Sequence, residues 1–354
     1  MEASASTVEG RGDAAFLTDL WYLAAPAAAL KPGRMTGRVF MDQPILLGRD
    51  KQGQPFALRD LCPHRGVALS AGRFDGTEVS CPFHGWRFGT DGQCRAIPSL
   101  VDDSRISPAK VKVRRYPCRE VQGNVWIFLG GADVVPSVEP PTIPEIGEVT
   151  AKVTTPLDFE TDLDNAVYGL LDPAHTPYVH EGLFWRRPHN LRLKTKAYEP
   201  SELGFTMTRH EPAGNTVVYK LLGGKPTTEI SFRLPGVRLE HIRVGRHHIC
   251  NMTAMTPISA QRTQVVNLLY WTNPVISLLQ PFLAFMAKRF LGQDQWIVGL
   301  QNQSSVFSPS MMLVNDADSL QRWYLRLKRE WRRAQSEATP FVNPVKATSL
   351  RWHS

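Results

Sequence analysis

The stretch LCPHRGVALSAGRFDGTEVSCPFHGWRFG, from Leu61 to Gly89, sets four metal-ligating side chains in the order Cys62, His64, Cys81, His84. One residue separates the first pair, two separate the second, and sixteen lie between the pairs. A zinc finger groups cysteines with cysteines and histidines with histidines. Alternating a thiolate with an imidazole suits an asymmetric [2Fe–2S] cluster instead, in which one iron takes both cysteines and the other both histidines. Pro63, Gly66, Pro82 and Gly85 keep the pairs on loops and let backbone N–H groups approach the sulfurs. Two neutral imidazoles in place of thiolates raise the potential, so the site reads as a mild, easily reduced electron relay.

A chain of 354 residues is too long for one small core and fits about two domains. Five cysteines, two of them already in the pattern, argue against a disulfide framework, and Cys94, Cys118 and Cys250 read as buried free thiols. The opening MEASASTVEGRGDAAF lacks the basic start and apolar run of a secretory signal, so a cytoplasmic location is expected. The net charge of +8 is spread along the chain without a recognition motif, which disfavours a nucleic-acid partner. The densest basic run is Arg322, Arg326, Lys328, Arg329, Arg332 and Arg333. It reads as the solvated face of a terminal helix whose Trp323, Leu327 and Trp331 face the core, with docking of an acidic partner as the alternative.

No stretch reaches the roughly 18–20 uninterrupted apolar residues of a membrane span, so no transmembrane segment is expected. The nearest approach, Pro274 to Phe290, is broken by Gln280 and Pro281. It reads as a core helix or the wall of an apolar pocket, with a membrane-surface helix left open.

From Trp21 to Gly130 short apolar or alternating runs such as PILLGRD, QPFALRD and GNVWIFLG are separated by Gly, Pro and Asp, which predicts a small antiparallel β domain over residues 17–135. The proline-rich GADVVPSVEPPTIPEIGE predicts a linker over 136–150. Residues 151–340 mix candidate helices with strands such as TEISFRL and TQVVNLLYW, without regular βαβ alternation, GxGxxG or P-loop. That predicts an α+β domain in which helices pack on an antiparallel sheet.

This second domain contains LLDPAHTPYVHEG, from Leu170 to Gly182. On an unbroken helix His175 and His180 would stand about 140° apart. Pro173 and Pro177 predict a bend that lets them converge, with Asp172 as a helix N-cap. Two histidines and one carboxylate form the facial triad of non-heme iron(II) oxygenases, which leaves coordination positions open for O2.

CPHRG followed by CPFHGW resembles the Rieske motif, and D-x-x-H-x-x-x-x-H from Asp172 to His180 resembles the signature of the Rieske non-heme iron aromatic-ring-hydroxylating oxygenases. Over about residues 17–335 the chain is most similar to the vanillate O-demethylase and pheophorbide a oxygenase group. The resemblance implies an all-β Rieske domain followed by a helix-grip, START-like catalytic domain. It implies Cys62, His64, Cys81 and His84 on the [2Fe–2S] cluster. It also implies a mononuclear Fe(II) on His175, His180 and a carboxylate from RFLGQDQWIVGLQNQ, here Asp294. Asp316 and Asp318 compete for that place, although helix capping explains both more simply.

In this family the aspartate matching Asp172 bridges a mononuclear-iron histidine (His175) and a Rieske histidine (His84) of the adjacent subunit, which implies a homotrimer. Electrons would come from NAD(P)H through a separate reductase or ferredoxin, with O2 as co-substrate. The implied reaction is hydroxylation or oxidative demethylation of a hydrophobic, ring-containing molecule, with cis-dihydroxylation less favoured. Phe184, Trp185, Tyr270, Trp271, Phe282, Phe285 and Met286 are candidate pocket walls. A Rieske electron carrier with a C-terminal binding module is the alternative.

Two features depart from the family. Gly169 stands where members often carry asparagine, the nearest being Asn165, and the C-terminal CxxC and transit peptide of chlorophyll-catabolic members are missing, which favours a bacterial-type enzyme.

Overall fold

A computed structural model describes residues 6–8, 16–132, 134–180, 191–212, 224–307 and 311–354. It divides into two units, Thr18–Thr142 and a second formed by Met1–Leu17 with Ile143–Ser354.

A short strand, β1 (Ser6–Val8), belongs to the second unit, where it pairs with the strand Met311–Leu313. The first unit is all β apart from 3-10 turns. Its strands are β2 (Leu20–Pro26), β3 (Arg34–Phe40), β4 (Gln43–Arg49), β5 (Pro55–Arg59), β6 (Arg73–Phe74), β7 (Glu78–Ser80), β8 (Arg87–Gly89), β9 (Cys94–Ala96), β10 (Arg115–Tyr116), β11 (Cys118–Val121) and β12 (Asn124–Leu129). They form three antiparallel sheets in the orders β10-β5-β4-β3, β11-β12-β2 and β6-β7-β8-β9. The continuous apolar run VWIFL, preceded by a buried asparagine, makes β12 the central strand of its sheet, buried along its whole length. Each such large side chain removed from water contributes about 1.5–3 kcal/mol.

The third sheet carries the cysteine–histidine loops. Leu69, Val79, Phe88 and Ile97 form a core around Cys62 and Cys81. A side chain at Gly72 would put a Cβ 1.9 Å from the Ser80 carbonyl, so only glycine lets this turn approach the strand that leads into the second loop.

The second unit is built on one antiparallel sheet of eight strands. These are β13 (Val153–Phe159), β14 (Leu193–Ser201), β15 (Gly204–His210), β16 (Pro226–Arg233), β17 (Val237–Val244), β18 (His247–Ser259), β19 (Arg262–Trp271) and β21 (Thr348–His353), in the order β13-β19-β18-β17-β16-β15-β14-β21. β20 is Met311–Leu313. Among the described residues the α-helices are α1 (Leu163–Leu171), α2 (Thr176–Val179), α3 (Gln280–Ser304) and α4 (Ser319–Ser336). The architecture is the expected α+β type.

Helix α4 lies on one face of the sheet, where Phe232 meets Tyr324 edge-on at 5.8 Å and Tyr198 and Phe205 meet Trp323. Trp323, Leu327 and Trp331 are buried as the helical spacing predicts. Lys328, grouped above with the solvated bases, instead turns inward. It is 6 % exposed, and its ammonium reaches Asp164 Oδ1 of α1 at 2.6 Å beside the Tyr324 hydroxyl. A buried ammonium requires such a carboxylate, and the pair ties α4 to the helix that leads into the histidine segment.

The apolar segment from Pro274 also differs from its expected place. Pro274–Phe307 is a helix long and apolar enough to cross a membrane by length and composition alone. It runs along β13 as a surface helix, burying Leu291 and Val298 within α3. Leu278 is 82 % exposed, and Phe282, Phe285, Trp296 and Leu300 also face outward. Periodicity reports that apolar residues share a stripe, not which stripe the sheet covers.

Candidate active site

The two ligand loops of the first unit are built alike. In one, the Gly66 N–H donates to the Cys62 carbonyl (2.8 Å) and the Cys62 N–H to the Val67 carbonyl (2.8 Å). In the other, the Gly85 N–H donates to the Cys81 carbonyl (3.1 Å) and the Cys81 N–H to the Trp86 carbonyl (2.8 Å). Gly66 and Gly85 both sit at φ +70°, the left-handed conformation that closes each turn and that glycine adopts at no steric cost. The sequence C-P-x-x-G therefore encodes one turn twice, differing only in which of the two middle positions holds histidine.

Cys62 and Cys81 are buried with free thiols, while His64 and His84 lie toward the surface with ring centroids 4.6 Å apart. Trp86 stacks on His64 at 4.9 Å. Burial, reinforced by the neighbouring Cys81, pushes the Cys62 thiol above its ordinary range, so ligation there must release a proton. Two inner thiols and two outer imidazoles are the donor set that would hold an asymmetric binuclear cluster.

The second site forms where α1 breaks. Asp172 ends α1 as its C-cap, with its N–H on the Tyr168 carbonyl, so it closes the preceding helix and is not the N-cap of the next. The break falls at Asp172-Pro173, where ψ of 115° satisfies the proline that follows. Thr176 and Pro177 instead open α2, which tolerates proline in its first turn.

This break turns the two imidazoles together. His175 Nε2 and His180 Nε2 stand 3.2 Å apart, and Asp294 Oδ1 from α3 lies 3.5 Å from the first and 3.2 Å from the second. The three atoms face one point, as ligands of a single ion would. His175 Nδ1 donates to the Asp172 carbonyl at 2.8 Å and His180 Nδ1 to Gln293 Oε1 at 3.2 Å, which leaves both Nε2 lone pairs free for a metal. Burial disfavours the His175 cation, but Asp294 and Asp172 outweigh it and raise its pKa. Burial likewise opposes the Asp294 carboxylate, and the close approach of the His175 and His180 rings outweighs it in the other direction. The donor set fits a divalent iron with open positions.

Asp172 contributes in a second way, since its Oδ1 accepts the Ala174 N–H at 2.7 Å and its Oδ2 lies 3.8 Å from His175 Nδ1. Asp316 and Asp318 stand apart from this group. The Asp316 carboxylate accepts the Arg351 N–H, and that of Asp318, at the N-cap position of α4, accepts the Val314 N–H.

Gln293 and Phe290 were not singled out from the sequence. Phe290 stacks on His180 with ring centroids 3.5 Å apart. Their signal was position, one residue and one helical turn before Asp294 on the same helix. Of the proposed pocket walls, Phe282 and Phe285 point outward, Tyr270 and Trp271 are buried in the core, Met286 is half-buried, and Phe184 and Trp185 lie outside the described residues.

Gly169 also finds a physical reason. A Cβ there would meet Val298 Cγ2 of α3 at 3.2 Å, so glycine lets the helix that positions His175 approach the one that carries Asp294. Asn165 is occupied at the other end of α1, where its amide bonds the N-cap Asp162 at 2.8 Å. Gly169→Asn is expected to spread α1 from α3, cost about 1–3 kcal/mol and lower iron retention while the visible bands of the cluster stay unchanged. Metal analysis beside the absorption spectrum checks this.

Residues 20–117 match the family model of the Rieske [2Fe-2S] domain. Over 185 residues, 51% of this chain and 32% of the relative, the sequence is 33% identical to chlorophyllide a oxygenase, chloroplastic, of Arabidopsis thaliana. Over 126 residues, 36% of this chain and 34% of the relative, it is 33% identical to 4beta-methylsterol monooxygenase of Methylococcus capsulatus. The matched regions thus span about a third of the curated relatives' length. The fold is shared with the crystal structure of dicamba monooxygenase bound to dicamba, with a TM-score of 0.70 and 23% identity over 91% of this chain and 99% of that one. The first unit is a Rieske [2Fe–2S] domain. Up to about half of the chain is similar in sequence to the named oxygenases, and the chain shares its fold with dicamba monooxygenase.

Proposed function

We propose that this protein is a terminal oxygenase that hydroxylates or oxidatively demethylates a hydrophobic, ring-containing small molecule. The observation that carries this reading is the convergence of His175, His180 and Asp294, with ligand atoms 3.2–3.5 Å apart, in a chain that also carries the paired loops of a Rieske domain. That its relatives are named oxygenases and monooxygenases supports it.

In this reading Cys62 and Cys81 hold one iron of the cluster, His64 and His84 the other, and His175, His180 and Asp294 take three positions on a mononuclear iron(II). When bound, the cluster supplies single electrons and the mononuclear iron activates O2 beside the substrate. The balance is R–H + O2 + 2 e⁻ + 2 H⁺ → R–OH + H2O, with the electrons drawn from NAD(P)H through a separate reductase or ferredoxin. Where the carbon is a methyl on oxygen or nitrogen, the product loses formaldehyde.

The chain's own groups keep this site dry and oriented. His180 is 1 % exposed under Phe290, and the Asp172 carbonyl and the Gln293 amide fix the tautomers of the two imidazoles. The Asp172 carboxylate, itself partly exposed, has acceptor capacity left for His84 of the partner subunit in a homotrimer. A cytoplasmic location accompanies this reading.

Asp172→Asn is expected to retain cluster and iron yet lose most coupled turnover, whereas full activity would refute the bridge. For the function itself, the reduced protein is supplied with a panel of ring-containing hydrophobic compounds under ¹⁸O2. One labelled oxygen in a hydroxylated product, or formaldehyde released in step with O2 uptake, is expected. Fully metallated protein that consumes no O2 with any of the panel would count against it.

A further inference from the structure

The eight-stranded sheet carries a second group of ligand-type atoms. Phe232 faces helix α4, and it pairs with Arg238 on β17. Strand alternation therefore sends His241 to the opposite face, and its ladder partner Cys250 puts His248 on that face as well. There His241 Nε2 lies 2.9 Å from His248 Nδ1, with ring centroids 5.1 Å apart. Glu145 Oε2 completes the group at 3.8 Å from the first nitrogen and 3.6 Å from the second.

These separations bracket the roughly 3.3 Å between neighbouring ligands of a tetrahedral ion with bonds of about 2.0–2.1 Å. Glu145 is held for the purpose by its backbone. It sits at φ +64°, uncommon for a residue with a side chain, between the buried Ile143 and Ile146. We propose that Glu145, His241 and His248 bind a divalent first-row transition metal, zinc being the type case, which clamps the segment entering the second unit onto the outer face of its sheet.

The donor set of two imidazoles and one carboxylate selects such an ion over calcium or magnesium. His241 is 2 % exposed, so the imidazole offered to the ion is held in place by the surrounding sheet. Arg209 Nη2 stands 3.4 Å from His241 Nδ1, and Arg243 Nη1 4.0 Å from Glu145 Oε1. Without metal, Arg209 donates to Nδ1 and Nε2–H donates to His248. When the ion takes Nε2, the proton moves to Nδ1 and Arg209 turns to Glu229, 3.7 Å away. The two guanidiniums weaken the site relative to a structural zinc centre, and removing Arg209 should tighten it.

The test is calorimetric titration of Zn²⁺ into full-length, cluster-loaded protein carrying His175→Ala and His180→Ala, which disable the mononuclear site. About one equivalent of Zn²⁺ is expected to bind, Glu145→Gln to weaken it at least about tenfold, His248→Ala to abolish it, and Arg209→Leu to strengthen it. Glu145 is 46 % exposed on its side chain, so Glu145→Gln keeps the test valid should the histidine variant misfold. Absence of binding, or binding unchanged in Glu145→Gln and His248→Ala, would show the group to be a hydrogen-bonded polar cluster only. This inference stands independently of the oxygenase reading.

Discussion

Asp294→Ala is expected to yield a coloured protein that has lost its mononuclear iron and turns over more than about a hundredfold more slowly than wild type. Even the outer partners of metal ligands cost about 10–100-fold when removed, and Asp294 supplies one of three converging atoms. The expected selectivity is as informative as the size. Asp294 lies on α3 and the cluster loops lie in the first unit, so the visible bands and the potential of the cluster should not change. Loss of the cluster bands in this variant would mean that the substitution unfolds the chain. Metal analysis, absorption and O2 uptake on one preparation distinguish these outcomes.

Cys81→Ser should act in the opposite place and with broader damage. Cys81 is 4 % exposed in the core formed by Leu69, Val79, Phe88 and Ile97, and its backbone begins the second turn. Serine there removes a proposed cluster ligand, and with it the binding energy that a bound cluster would supply to join the two loops. It also leaves a buried hydroxyl that costs about 1–3 kcal/mol where it finds no partner. Colourless protein with a lowered melting temperature is expected, followed by thermal denaturation monitored through tryptophan fluorescence. Retention of the full visible spectrum would place the cluster elsewhere.

The two halves of the candidate site differed in how openly the sequence wrote them. The first half is local. Cys, Pro and Gly recur at the same spacing in both loops, each position has a backbone reason, and the four ligands lie within one short stretch. The second half joins His180 to Gln293 across 113 residues, and no spacing rule reaches that far. Asp294 could be named only through a family resemblance, while Gln293 and Phe290 became visible only once α3 was placed against α2.

Local rules also misplaced the break in the histidine segment. Asp172-Pro173 and Thr176-Pro177 look equivalent in sequence, yet α1 ends at the first and α2 begins across the second. The exposed face of α3 and the inward turn of Lys328 share one cause. Composition sets which side chains are apolar or charged, but the sheet and α1 decide which of them are covered.

The proposed oxygenase role requires electrons collected at Cys62, His64, Cys81 and His84 to reach an oxygen-activating iron at His175, His180 and Asp294. Its most direct test is the iron and acid-labile sulfide content of the purified protein, read together with its visible spectrum. About three irons and two sulfides per chain are expected with the bands of a histidine-ligated cluster, the third iron disappearing in Asp294→Ala. Two irons per chain with wild-type and Asp294→Ala indistinguishable would make the protein an electron carrier, and a colourless zinc protein would rule out both the cluster and the oxygenase role.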